Sequence, residues 1–137
     1  MKTIWITGGS SGIGLATAKK FSEEKWRVII SSRNNENLIK AKKNILKHSN
    51  NIEVYTVKCD ISNREEVHKT VNKIENEIGP IDIGLLNAAA YSPNKSQEFE
   101  IDNYELLINV NLKGTLYCIE VLKKRMGSRQ VGHIAIV

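Results

Sequence analysis

Thr3-Ile4-Trp5-Ile6-Thr7-Gly8-Gly9-Ser10-Ser11-Gly12-Ile13-Gly14 is the stretch on which the fold turns. Ile4 and Ile6 alternate with Thr3 and Trp5 and stop at glycines, the pattern of a buried strand over Lys2–Thr7. From Gly12 onward, Gly14, Thr17, Ala18 and Phe21 recur on one helical face, with Lys19, Lys20, Glu23 and Glu24 towards water. The glycines therefore join a strand to a helix. Four of them fall within seven residues, more than a tight turn alone requires. Glycines let backbone approach a pyrophosphate closely, and a helix N-terminus offers N–H donors and partial positive charge. A P-loop is excluded, because Leu15 stands where that motif needs Lys.

Outward from this loop, strand and helix patterns alternate to the end of the chain. Trp26–Ser31 predicts a second strand, and Leu38, Ala41 and Ile45 mark the buried face of a second helix. Ile52–Val57 is rich in β-branched residues and predicts a third strand. Ser62-Asn63-Arg64-Glu65 has the form of a capping box with Ser62 as N-cap, opening a helix that buries Val67, Val71, Ile74 and Ile78. Gly79-Pro80 ends it, and Ile81–Leu86 follows as a fourth strand. Pro93 punctuates a loop. A long helix from about Asn103 turns Leu107, Val110, Gly114, Tyr117 and Val121 inward, Gly127 breaks it, and Gly132–Val137 reads as a fifth strand. Strict alternation predicts an α/β fold, a doubly wound parallel sheet of the Rossmann type with helices on both faces. The chain, 1–137, reads as one dinucleotide-binding domain holding strands 1–5 of a larger sheet, incomplete at its C-terminus.

Composition narrows the function. Of the 137 residues, 41% are hydrophobic and 26% charged, which argues against disorder. The net charge of +5 is mild, and aromatics at 6% supply no stacking platform, so no nucleic-acid partner is expected. No apolar run reaches the ~18 residues of a membrane span, and the start lacks a signal-peptide core. Cys59 and Cys118 lie in apolar segments and read as reduced core thiols of a cytoplasmic protein. His48, His68 and His133 are scattered, and no metal site is expected.

Thr7-Gly8, Gly12 and Gly14 resemble the T-G-x-x-x-G-x-G loop of the short-chain dehydrogenase/reductase family. Asp60 after the third strand, Asn87-Ala88-Ala89 after the fourth, Asn111 in Asn109-Val110-Asn111-Leu112-Lys113-Gly114, and Gly132–Val137 match the same family in register. The resemblance implies an oxidoreductase that moves hydride between a nicotinamide and a carbonyl or alcohol substrate. It implies cofactor contacts from Thr7, Gly8, Ser10, Ser11, Gly12, Ile13 and Gly14, from Asp60 and Ile61 at the adenine, and from Asn87, Ala88 and Ala89 at the nicotinamide ribose. Asn111 corresponds to the Asn of the catalytic tetrad. Read from the residues alone, the lesser alternatives are Asp60 as a turn residue, Asn87 as a strand cap and Asn111 as a hydrogen-bonded structural amide on a buried helix face. Ala89 departs from the family's Gly.

An acid about 20 residues past such a loop binds a ribose 2′-hydroxyl, whereas Arg accommodates a 2′-phosphate. Here Ser32-Arg33 stands at that place, so NADP is expected, with NAD as second choice; a solvated Arg33 is the bland alternative. The family's catalytic Ser and Tyr-x-x-x-Lys should follow the fifth strand and lie past Val137. Tyr91-Ser92-Pro93-Asn94-Lys95 matches the string but follows the fourth strand, and Pro93 disfavours the helix it needs. The chain therefore reads as the cofactor half of an enzyme that forms homo-oligomers at full length, the alternative being a non-catalytic dinucleotide-binding module.

Overall fold

The computed structural model describes residues 1–50, 53–91 and 99–137. In chain order the elements are β1 (Thr3–Thr7), α1 (Gly12–Glu23), β2 (Arg27–Ser32), α2 (Asn35–His48), β3 (Val54–Lys58), α3 (Arg64–Glu77) and β4 (Ile83–Leu86). There follow α4 (Ile101–Leu107), a π-helical segment (Ile108–Gly114), α5 (Thr115–Arg129) and β5 (His133–Ile136). All strand pairs are parallel and the order is β3-β2-β1-β4-β5. This is the doubly wound α/β sheet that the alternating pattern predicts.

Period-2 alternation sorts the core into two layers. Ile4, Ile6, Val28, Ile30 and Val54 meet Ala18 of α1 and Leu38, Ala41 and Ile45 of α2. Trp5 and Ile29 point the other way, towards Val67, Val71 and Ile74 of α3 and Val121 and Leu122 of α5. Burying each such aliphatic side chain stabilises the fold by about 1.5–3 kcal/mol. Trp5 is fully buried, and its indole N–H donates to Ser31 Oγ at 3.0 Å, which satisfies the donor inside the core. Gly84 leaves room for α5: a Cβ there would lie 2.4 Å from Leu122 Cδ1.

Several local expectations need correction. The N-cap of α3 is Asn63, whose side chain accepts from Glu66 N at 3.0 Å, because Ser62 is drawn back to Asp60. Gly127 does not break α5, which runs on to Arg129 and ends at Gln130 in the left-handed region (φ 53°). The long helix begins at Ile101 and contains the π-helical segment. Thr17, Phe21, Ile78, Leu107 and Tyr117 are only half-buried, while Ser22, Thr70, Cys118, Leu122 and Met126 are buried. Ile52 and Pro93 lie outside the described residues. No helix among the described residues is long and apolar enough to cross a membrane.

Candidate functional site

β1 pairs with β2 on one edge and β4 on the other. The connections that leave these strands depart to opposite faces, so a crevice opens at the C-terminal ends of β1 and β4. Gly8 (φ +67°) and Gly12 (φ +52°) adopt the left-handed backbone that turns β1 into α1. A Cβ at Gly12 would meet nothing within 4 Å, so conformation rather than space demands glycine there. At Gly14 space decides: a Cβ would lie 2.6 Å from Asn87 Nδ2 and from Gly8 O.

The N-terminus of α1 differs from those of α2 and α3. Asn34 Oδ1 accepts from Asn37 N at 3.0 Å and Asn63 Oδ1 from Glu66 N at 3.0 Å, with acidic residues in both first turns. Ser11 makes no side-chain cap on α1, whose first turn holds no acid. Its amides thus face the crevice beside an unneutralised dipole, a donor set suited to a diphosphate.

A short network joins the two sides of the crevice. Thr7 Oγ1 accepts from Asn87 N and from Ala88 N, each at 3.0 Å. Asn87 Nδ2 donates to Thr7 O at 3.2 Å and Gly8 O at 3.3 Å. Asp60 shapes the turn before α3: its Oδ1 accepts from Ser62 N (2.9 Å) and Ser62 Oγ (2.7 Å), while its own N donates to Glu66 Oε1 (3.1 Å). Asn111, expected on a buried face, is exposed. Its amide pairs with one peptide group instead, accepting from Ala90 N at 2.7 Å and donating to Ala90 O at 3.0 Å. Asn111 lies within the π-helical segment Ile108–Gly114.

The crevice encloses about 550 Å³, within the usual range for small-molecule sites. The β1 loop contributes Gly8, Ser10, Ser11, Gly12 and Ile13 to its wall, and the end of β2 contributes Ser32 and Arg33. Asp60 and Ile61 line it after β3, and Asn87, Ala88 and Ala89 after β4. Thr7 and Gly14 stand behind the wall, both buried, and Asn111 lies beside it at Ala90. Ala89 is not in the left-handed region, so its methyl replaces the family glycine without backbone strain. Sequence reading missed Ser31, Asn34, Asn37, Cys59 and Val110. The Asn34-x-x-Asn37 cap was a readable signal for two of them; Cys59 and Val110 are core residues with an edge on the crevice. Burial pushes the Cys59 thiol up to about 11 and that of Cys118 up to about 12, so neither presents a thiolate near neutral pH. Lys95 of the Tyr91-x-x-x-Lys95 string lies outside the described residues.

Compared with known proteins, residues 2–137 match the short chain dehydrogenase family. An uncharacterized oxidoreductase of Staphylococcus aureus (strain MW2) is 31% identical over 129 residues, 94% of this chain and 54% of that protein. The 3-ketodihydrosphingosine reductase of Mus musculus is 33% identical over 136 residues, 96% of this chain and 41% of that protein. Among solved structures, an actinorhodin polyketide ketoreductase with NADPH is similar at a TM-score of 0.90 and 25% identity, over 98% of this chain and 52% of that one. The chain spans about half the length of these relatives.

Proposed function

Because the chain belongs to the short chain dehydrogenase family, we propose that residues 1–137 form the cofactor-binding domain of an NADP(H)-dependent oxidoreductase. The observation that carries this reading is the uncapped, acid-free N-terminus of α1 behind two left-handed glycines at the β1/β4 crevice. Amides of Ser10–Ile13 hold the diphosphate, with Gly14 letting α1 close on the β1 loop. Asp60 and Ile61 border the adenine, and Asn87–Ala89 the nicotinamide ribose. The bound nicotinamide supplies or accepts the hydride exchanged with a carbonyl or alcohol carbon. Thr7 and Asn87 keep the two loops in register, and Asn111 fixes the peptide of Ala90 where the β4 loop leaves the crevice.

Preference for the 2′-phosphate rests on Arg33, which is exposed and has no carboxylate within ion-pair distance among the described residues. A guanidinium fork suits a phosphate dianion. The free, buried cysteines support a cytoplasmic setting. For self-association the supporting surface is the row Tyr104, Ile108, Leu112 and Leu116, which recurs every four residues and is 40–57% exposed. Asp102 and Glu105 flank its start and Lys113 lies further along, so an antiparallel second copy sets acid against base.

Calorimetric titration of the chain with NADPH and NADH tests the reading. NADPH is expected to bind the wild type more tightly, and Arg33→Ala to weaken NADPH by about tenfold or more while sparing NADH. Equal affinity of the wild type for both cofactors would reject the NADP assignment, and no affinity for either would reject cofactor binding altogether.

A further inference from the structure

We infer that Lys58 is a second cation for the ribose 2′-phosphate and shares the cofactor choice with Arg33. The inference rests on the NADP(H) reading above and adds a residue that the sequence motifs do not single out.

Register supplies the argument. Ser32 and Lys58 are direct partners across the parallel β2–β3 pair, and Ser32 O accepts from Cys59 N at 3.0 Å. Paired residues in a parallel ladder project from the same face. The Val28–Val54 pair, four residues back along both strands, lies in the core beneath α1 and α2. Even spacing puts Ser32 and Lys58 on that same face, at the C-terminal edge of the sheet. Strands lie about 4.8 Å apart, a gap that the four-carbon stem of lysine spans. Lys58 therefore stands one strand from Ser32, with Arg33 the next residue along the chain.

The surroundings favour an anion here. Lys58 is exposed and, like Arg33, has no ion-pair partner among the described residues. Asp60, two residues on, has Oδ1 occupied by Ser62. Glu36, exposed in the first turn of α2, is the other acid nearby in sequence, so Asp60, which the proposed function sets at the adenine, and Glu36 are the charges that oppose a phosphate held by the two cations. A phosphate monoester at Ser32 would carry close to two negative charges and so be matched by Arg33 and Lys58 together. A 2′-hydroxyl carries none and gains nothing from Lys58.

The test is titration of the full chain with NADPH, NADH and adenosine 2′,5′-bisphosphate. Lys58→Met is expected to weaken NADPH and the bisphosphate about fivefold, leave NADH unchanged and make NADPH binding less dependent on salt. Lys58→Arg is expected to restore most of the loss, with both variants melting at the wild-type temperature because the side chain is exposed. A wild type that prefers NADPH, with that preference intact in Lys58→Met, overturns the role of Lys58 and leaves that of Arg33 standing. Equal weakening of NADPH and NADH marks a structural effect and also overturns it. A wild type that does not distinguish the two cofactors overturns this inference together with the reading beneath it.

Discussion

Thr7 serves the two amides just past β4 with one hydroxyl oxygen, in a position only 1% exposed. Valine has nearly the same shape but no acceptor, so Thr7→Val strands the Asn87 and Ala88 amides without a partner. A buried amide left unpaired costs about 1–3 kcal/mol. The variant is expected to unfold at lower urea concentration with an unchanged m-value, and Thr7→Ser to recover most of the difference. A midpoint equal to wild type in Thr7→Val would show that these bonds contribute nothing net. Asn87 works in the reverse sense, covering the carbonyls of Thr7 and Gly8 from the β4 side. The two residues hold the loops in one arrangement before any ligand arrives, so little ordering remains to be done on binding.

Between elements, α3 and α5 are clamped by exposed ion pairs. Arg64 Nε donates to Glu120 Oε2 at 2.9 Å, Arg64 also reaches Glu120 Oε1, and His68 Nε2 lies 3.2 Å from Oε2. The Arg64 hydrogen bonds, followed by that of His68, hold the Glu120 carboxyl down at about 2 against an ordinary 4.5. A depressed carboxyl contributes its stability in full above the unfolded value and loses it as pH falls through the folded one. Wild type is therefore expected to lose more stability than Glu120→Gln between pH 4.5 and pH 2, by a small margin because the group is exposed. Parallel urea titrations across that range check it; coincident slopes would mean that the clamp is silent. Elements were legible in the sequence where burial on both faces leaves long apolar runs, as in β1 and β2. Boundaries were less so. Ser62 and Asn63 are both competent caps, and only the competing pull of Asp60 on Ser62 decides between them. The π-helical segment leaves no mark, since Tyr104, Ile108, Leu112 and Leu116 repeat as they would in an α-helix. Gly127 punctuates nothing because exposed helix tolerates glycine at about 1 kcal/mol. The glycine loop and Asn87 could be read because their chemistry needs particular residue types. Asn37 was readable only through the Asn34 cap, and Lys58 not at all, because strand register rather than any motif places it there.

At the largest scale, residues 1–137 by themselves expose more surface than a compact monomer of the same mass. Their solvent-exposed area is 8298 Å² at 15.4 kDa, whereas a compact monomer of that mass exposes about 7,200 Å². The excess of roughly 1,100 Å² exceeds the ~800 Å² that each partner buries in a standard interface. Ile101, Tyr104, Ile108, Leu112 and Leu116 contribute to it. The chain is expected to self-associate with increasing concentration in light scattering, and Leu112→Lys to shift that onset upward. A monomer throughout the micromolar range would remove the case for a second copy on the α4–α5 row. Sheet order also sets a timetable. β1 finds β2 beginning at Arg27, but its other neighbour begins at Ile83. A chain emerging from the ribosome N-terminus first can assemble β1, β2 and β3 with α1 and α2 while β4 is still unmade. Through that interval the central strand keeps one edge of open amides and carbonyls, the hazard usually confined to the rim of a sheet. The pairing that relieves it is the same one that brings Asn87 to Thr7, so the ligand crevice and the protection of the nascent strand are completed in a single event.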